Sequence, residues 1–122
     1  MPELEVVFYE QADGTIPVRQ FLGSLSEKME AKVLRVISLL ETNGYELREP
    51  YSKPLGDGIF ELRVQVATNI SRVLYFFVVD NKAVLTHGFV KKTQQTPKAE
   101  IKRAKNYRED YFRRHDVHDT KI

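Results

Sequence analysis

The spacing of apolar positions divides the chain into a helical part followed by a strand-rich part. Residues 4–10 alternate and are rich in β-branched and aromatic types, which predicts a first strand. Pro17 predicts a short helix from Thr15 to Leu22, because proline fits the first helical turn. Apolar residues then recur at helical spacing from Met29 to Leu40, which predicts a second helix with one buried stripe. The two helices together predict a helical hairpin.

Capping residues bound the second predicted helix. Ser24 or Ser26 can cap its start, and Gly44 is predicted to end it in the left-handed conformation. Residues 45–58 contain two prolines and two glycines without periodicity, so they are predicted to form a loop.

The second part of the chain predicts strands joined by short turns. Residues 60–66 alternate between apolar and polar types, as in a sheet with one buried face. Residues 72–79 are apolar on both faces, which predicts a central strand covered on both sides. Residues 83–90 predict a last strand. Thr96 and Pro97 then predict a C-terminal helix with Thr96 as its cap.

The order of predicted elements is β-α-α-β-β-β-α, which defines an α+β fold. We expect three consecutive antiparallel strands, an added N-terminal strand and helices on one side of the sheet. With 122 residues, the chain is long enough for one domain, residues 1–122, and residues 114–122 are expected to form a flexible tail.

Composition excludes several classes of protein. The chain has no cysteine, so disulfides and thiolate metal sites or nucleophiles are excluded. The acidic N-terminus has too short an apolar run for a signal peptide, and no window is apolar enough for a membrane span. We therefore expect a cytoplasmic protein without membrane contact. The three histidines lack metal-ligand spacing, and no nucleotide-binding glycine pattern occurs, so we expect neither a metal nor a cofactor.

Charge is distributed unevenly, although the formal net charge is only +2. Residues 91–114 contain nine basic and three acidic side chains, beginning with the adjacent Lys91 and Lys92. Such an asymmetry predicts that the C-terminal part meets a polyanion or an acidic partner.

Several cations are predicted to converge on the sheet. They are Lys53, Arg63, Arg72, Lys91 and Lys92. Arginine and lysine side chains that converge suit a phosphodiester, because they bind phosphate and stabilise the charge of its transition state. The alternative is that Arg72 forms a structural ion pair with Glu61 or Asp80.

Residues 53–107 resemble the RelE/ParE superfamily of toxins from type II toxin–antitoxin systems, most closely its phage-derived, HigB-like branch. Three segments carry the resemblance: KPLGDGIFELR, which ends at Arg63; RVLYFF, which begins at Arg72; and HGFVKKTQQTP, which begins at His87. They occur in the order found in the family, and the predicted helical hairpin before them also matches its layout.

The resemblance implies an antiparallel sheet of the microbial-RNase type and a metal-independent endoribonuclease. Such enzymes cut mRNA, usually on the ribosome, by attack of the ribose 2′-hydroxyl on the adjacent phosphodiester, and thereby inhibit translation. It also implies neutralisation by a helix-turn-helix, HigA-like antitoxin, and binding of the toxin–antitoxin complex to operator DNA through that antitoxin. A ParE-like toxin, which binds DNA gyrase and is no nuclease, is the alternative.

The resemblance also implies roles for individual residues. The expected catalytic cations are Arg63, Arg72, Lys91 and Lys92, and the expected RNA-binding cations are Lys53, Lys98, Lys102 and Arg103. RelE-type members have a tyrosine shortly after the basic pair, but residues 93–98 contain none. The acid and base therefore stay open among Glu61, His87 and Tyr107, with Tyr111 and His115 as further candidates.

Overall fold

A five-stranded mixed sheet forms the centre of the protein in a computed structural model that describes residues 4–91 and 94–115. Its strands are β1 (Glu5–Phe8), β2 (Ser52–Gly56), β3 (Ile59–Val66), β4 (Asn69–Val78) and β5 (Lys82–Lys91). Their order is β1-β5-β4-β3-β2, with β1 parallel to β5 and the other neighbours antiparallel. The helices are α1 (Pro17–Gly23), α2 (Glu27–Asn43) and α3 (Lys98–His115), with a short 3-10 turn at Gly44–Glu46. The predicted α+β class is confirmed, but the implied antiparallel sheet is wrong in one pair, because β1 runs parallel to β5.

The predicted N-terminal strand and the last three predicted strands are all present, with ends that differ by up to three residues. Strand β2, in contrast, lies within residues 45–58, so the prediction of a loop is wrong there. As an edge strand, β2 tolerates Pro54, which lacks an N–H to donate. The turn after it places Asp57 and Gly58 at φ values of 54° and 80°, as in a two-residue type I′ hairpin. These same proline and glycine residues suggested a loop.

Both faces of the sheet are covered by helices, so the expectation of helices on one side is wrong. Helices α1 and α2 cover the face that carries Leu62, Val64, Val73 and Tyr75. Helix α3 covers the opposite face, where Leu74, Phe76 and Val84 pack with Ala104 and Tyr111. The apolar character of β4 on both sides predicts this arrangement, because each face of a central strand needs a cover.

Helix α2 follows its sequence pattern closely. The Ser26 hydroxyl accepts a hydrogen bond from the backbone N–H of Met29 at 3.2 Å, which identifies Ser26 as the cap. The predicted stripe from Met29 to Leu40 is buried, and Gly44 ends the helix with a φ of 58°. The cap and the buried stripe are thus confirmed, whereas Gly44, with a ψ of −131°, has a positive φ but not the left-handed helical conformation that the sequence predicts.

Helix α3 is attached to the sheet by few apolar contacts and several polar ones. Only Ala104 and Tyr111 are buried among its described residues. The Tyr9 hydroxyl donates to Asp110 Oδ2 at 2.6 Å, and burial together with this carboxylate raises the pKa of Tyr9 to about 12. The docking of α3 therefore depends on hydrogen bonds as well as on burial.

The described C-terminus is helical as far as His115. The first two residues of the expected tail, 114 and 115, thus belong to α3, and residues 116–122 lie outside the described part. Within residues 4–91 and 94–115, the structure contains no helix that is both long and apolar enough to cross a membrane.

Gly88 in β5 allows α1 to lie close to the sheet. A Cβ atom at this position would lie 2.7 Å from Cε2 of Phe21, a separation that real Cβ atoms do not show. Phe21 is buried in the core that α1 and α2 form with the sheet. The missing side chain of Gly88 is therefore part of the α1–β5 contact.

We expect Gly88→Ala to lower the free energy of unfolding by about 1–3 kcal/mol, because the added methyl overpacks a filled site. Chemical denaturation followed by circular dichroism measures this. Gly23→Ala in α1 is the matched control: a methyl group added there would meet no neighbouring atom within 4 Å, so we expect it to be neutral or stabilising. Equal stability of the two variants would contradict the close contact between Gly88 and Phe21.

Candidate functional site

The register of the sheet brings the predicted cations onto one face. Lys53 lies opposite Glu61, Arg63 lies opposite Arg72, and Lys91 lies opposite Ile70, two positions before Arg72. Directly opposed residues of antiparallel strands project from the same face. Arg63, Arg72, Lys53 and Lys91 therefore share the face that α3 covers. Lys92 lies outside the described residues.

Glu61 is the centre of this charged face. Two opposed guanidinium groups repel each other, so Arg63 and Arg72 need a countercharge. Glu61 supplies it: its Oε1 lies 3.0 Å from Arg63 Nε, and its Oε2 lies 3.8 Å from Arg72 Nη1. The Thr96 hydroxyl also donates to Glu61 Oε2, at 2.5 Å. The ion pair between Arg72 and Glu61, an alternative left open by the sequence, is thus present.

Arg72 and Glu61 are fully buried, with 0% of either side chain exposed. Burial lowers the pKa of Arg72, and the charge of Glu61 opposes that shift. Arg63 differs from Arg72 because 20% of its side chain is exposed. In this conformation, Arg63 can reach a ligand directly, whereas Arg72 acts through Glu61.

The segment before α3 lies over the two arginines. Arg63 donates from Nη2 to the backbone carbonyl of Gln94 and from Nη1 to Gln94 Oε1 at 3.4 Å. Arg72 Nη1 donates to the Thr96 hydroxyl at 3.5 Å. The prediction that Thr96 caps α3 is wrong: the helix begins at Lys98, directly after Pro97, and the Thr96 hydroxyl instead links the segment before α3 to the buried charges.

His87 forms a second polar group on the same face. Its Nε2 lies 2.9 Å from Glu100 Oε1 on α3, and its Nδ1 lies 3.0 Å from the Thr86 hydroxyl. Burial lowers the pKa of His87, although the hydrogen bond to Glu100 opposes the shift and the charge of Arg103 adds to it. The Thr86 hydroxyl donates its proton to the backbone carbonyl of Leu74 at 3.1 Å, so its oxygen is left to face His87 Nδ1, and the ring donates to the Glu100 carboxylate from Nε2.

The tyrosine candidates occupy two different surroundings. Tyr107 stacks on Tyr9 with ring centroids 4.6 Å apart, and its ring meets that of His87 edge-on at 5.7 Å. Tyr111 and His115 stack on each other at 4.1 Å, and Tyr111 packs against Phe76. Tyr107 therefore lies next to His87, whereas Tyr111 belongs to the apolar core beneath α3.

The basic residues of α3 also separate into two groups. Lys105 and Arg108 bind Asp57, and Arg113 and Arg114 bind Asp110. The remaining ones, Lys98, Lys102 and Arg103, are exposed and form no ion pair with a described residue. These three are the α3 cations predicted to bind RNA.

Sequence reasoning missed Gln94 and Glu100 as parts of this site. Neither has a local pattern that signals its role, because each contact depends on how the segment before α3 and α3 itself dock on the sheet. Among the described residues, no group of three or more His, Cys, Asp or Glu side chains is arranged to hold a metal ion.

Comparison with known proteins places the chain in a family. The family described as phage-derived protein Gp49-like (DUF891) matches residues 20–109, which is more than half of the 122 residues. The chain belongs to this phage-derived, Gp49-like family. No curated protein matches it. Membership of the family is consistent with a toxin of a toxin–antitoxin system.

We expect Glu61→Gln to lower the free energy of unfolding by about 3 kcal/mol, because it removes the carboxylate charge that faces both buried Arg72 and Arg63. Urea denaturation measures the change. Glu109→Gln, an exposed site on the same protein, should change stability by less than about 0.5 kcal/mol. The double variant Glu61→Gln/Arg72→Met should recover part of the lost free energy of unfolding, because the buried positive charge is then absent as well. A double variant that is less stable than Glu61→Gln would contradict the role of Glu61 as countercharge.

We expect the free energy of unfolding to decrease as the pH is lowered below about 6.5, the ordinary pKa of histidine. The unfolded chain then takes up a proton at His87 that the folded chain, with its lowered pKa, does not bind. This one group contributes a slope of at most about 1.4 kcal/mol per pH unit to the free energy of unfolding. The contribution stops once the pH is below the pKa of His87 in the folded protein. His87→Gln should remove it, whereas His115→Gln should retain it. Identical pH profiles of both variants would contradict a lowered pKa.

Proposed function

We propose that the chain is the toxin of a type II toxin–antitoxin system and that it cleaves mRNA on the ribosome, as HigB-like members of the RelE/ParE superfamily do. The observation that carries this proposal is the placement of the cations Lys53, Arg63 and Lys91 on one sheet face, with Arg63 paired to Glu61. Membership of the Gp49-like family supports it. Because mRNA and ribosomes are its targets, the protein acts in the cytoplasm.

The proposed reaction needs charge stabilisation and proton transfer. The ribose 2′-oxygen attacks the adjacent phosphorus and forms a new P–O bond, while the bond from phosphorus to the 5′-oxygen breaks. A base takes the 2′-hydroxyl proton, and an acid protonates the leaving 5′-oxygen. Arg63 stabilises the negative charge that grows on the phosphoryl oxygens, and Lys53 and Lys91 add positive potential on either side of it.

Arg72 has a supporting role in this proposal. Its buried guanidinium faces Glu61 at 3.8 Å, so it orients that carboxylate and adds positive potential beneath the exposed cations. Direct contact between Arg72 and phosphate requires the segment Gln94–Thr96 to move away.

The acid and base are drawn from Glu61, His87 and Tyr107. Glu61 lies beside Arg63, whereas His87 lies beneath α3 against Tyr107 of that helix. The pH dependence of cleavage by Glu61→Gln, His87→Gln and Tyr107→Phe separates them, because loss of a base removes the acidic limb of the profile and loss of an acid removes the basic limb.

A helix-turn-helix, HigA-like antitoxin is the proposed partner. An acidic segment of it would cover Arg63 and the exposed cations Lys98, Lys102 and Arg103, and the complex would bind operator DNA through the antitoxin. Co-expression of such a partner, encoded beside the chain, is expected to abolish growth arrest.

We expect Arg63→Gln to reduce mRNA cleavage about a hundred- to a thousandfold, the usual loss for one charged donor to a transition state. Primer extension on mRNA from cells expressing the chain measures cleavage. Arg113→Gln is the matched control, because Arg113 is also an ion-paired arginine but 68% of its side chain is exposed. We expect it to cleave at the wild-type rate.

Thermal unfolding and antitoxin binding establish that each variant is folded. Folded Arg63→Gln protein that cleaves at the wild-type rate would contradict the proposed role. Growth arrest without mRNA cleavage, but with inhibited DNA gyrase, would favour the ParE-like alternative.

A further inference from the structure

A cleft of about 450 Å³ lies at the outer edge of β3, beside the charged face. Its lining includes Lys32 from α2, Tyr51 from the segment before β2, Lys53, Arg63, Gln65 and Gln94. The volume lies within the range of about 300–1,000 Å³ that is common for small-ligand sites. Because Arg63 and Lys53 line both the cleft and the charged face, the two are continuous.

The charges of the cleft favour an anion. Three cations, Lys32, Lys53 and Arg63, line it together with one carboxylate, Glu49. No described carboxylate lies within ion-pair distance of Lys32 or Lys53. Lys32 Nζ instead donates to the backbone carbonyl of Gln65 at 2.9 Å, which holds the ammonium group over the edge of β3.

Tyr51 adds an exposed aromatic surface to the same cleft. The residue is 41% exposed, and its ring stacks on no other described aromatic ring. Tyr45 is the contrasting case: it is 54% exposed, but its ring lies against Phe77 with centroids 4.4 Å apart. An exposed aromatic side chain next to cations is the combination that binds unpaired nucleotides.

A peptide strand fits this edge poorly. The pairing of β2 with β3 reaches Leu62, and the Arg63 N–H donates to the Tyr51 carbonyl at 2.9 Å. Only the last three residues of β3 remain at the edge, and the Gln65 carbonyl among them already accepts from Lys32. Strand addition depends on a longer row of free backbone groups.

We propose that this cleft is a nucleotide subsite, in which one unpaired base of an RNA strand stacks on Tyr51 while the neighbouring phosphate lies between Lys32, Lys53 and Arg63. The inference rests on the proposed function for its ligand class, single-stranded RNA. It adds a subsite next to the cleavage site, so the base held on Tyr51 contributes to the choice of the cut position. Tyr51 and Lys32 are then binding residues rather than catalytic ones.

Fluorescence anisotropy with a labelled single-stranded oligoribonucleotide tests the subsite without requiring cleavage. We expect Tyr51→Leu to weaken binding on the order of ten- to a hundredfold, the usual effect of losing one stacked base, and Tyr51→Phe to bind nearly as the wild type does. A duplex of the same sequence should bind more weakly, because its bases are not free to stack on the ring.

A salt titration tests the phosphate contact. Lys32→Gln should make the slope of log K against log salt less negative by about 0.7, as expected for one lost phosphate contact on a single strand. Lys28→Gln is the matched control, since Lys28 is exposed on the same helix but does not line the cleft. We expect its slope to equal that of the wild type.

The outcomes separate this inference from the proposed function. Equal RNA affinity of folded Tyr51→Leu and wild-type protein would overturn the subsite. So would a Tyr51→Leu variant that weakens binding of a protein partner but leaves RNA binding unchanged. Either result leaves the proposed function standing if Arg63→Gln still abolishes cleavage. Conversely, RNA binding that depends on Tyr51 in a protein that never cleaves mRNA would support the subsite and overturn the nuclease.

Discussion

One buried carboxylate, Glu61, is the constraint on which the charged face of this protein depends. The register of β3 and β4 places Arg63 directly opposite Arg72, and two guanidinium groups in that position repel each other. Glu61, two residues before Arg63, contacts both of them. Because it also accepts a hydrogen bond from Thr96, the same carboxylate holds the start of α3 against the sheet. Charge balance and helix docking are thus one interaction.

As a result, the two arginines of the charged face differ in their exposure to solvent. Arg72 lies beneath Glu61 without exposed surface, whereas Arg63 reaches both Gln94 and the solvent. An anion that approaches the face meets Arg63 first, and access to Arg72 requires the contacts of Gln94 and Thr96 to break. Since α3 buries few apolar side chains, movement of the segment before it disturbs little of the core.

Most helices and strands follow from the sequence, because local periodicity and capping decide them. The stripe from Met29 to Leu40 and the double-sided apolar run of β4 are examples. Strand β2 could not be predicted in this way, since its identity comes from pairing with β3 and not from its own Ser-Lys-Pro-Leu-Gly sequence. The alternation along β3, in contrast, predicts correctly that Arg63 projects from the sheet face opposite to that of Leu62. The contact of His87 with Glu100 depends on the docking of a helix and has no local signal.

The alternation of β3 also explains how two kinds of binding surface meet. Glu61 and Arg63 project from the same face of this strand and contact the buried Arg72 and the segment before α3, whereas the backbone carbonyl of Gln65 accepts a hydrogen bond from Lys32 of α2. Arg63 and Lys53 line both the charged face and the cleft. The charged side chains of the face alone would recognise a phosphate and nothing else. In the proposed RNA complex, Tyr51 at the edge of β3 would hold a base while Arg63 contacts the phosphate next to it.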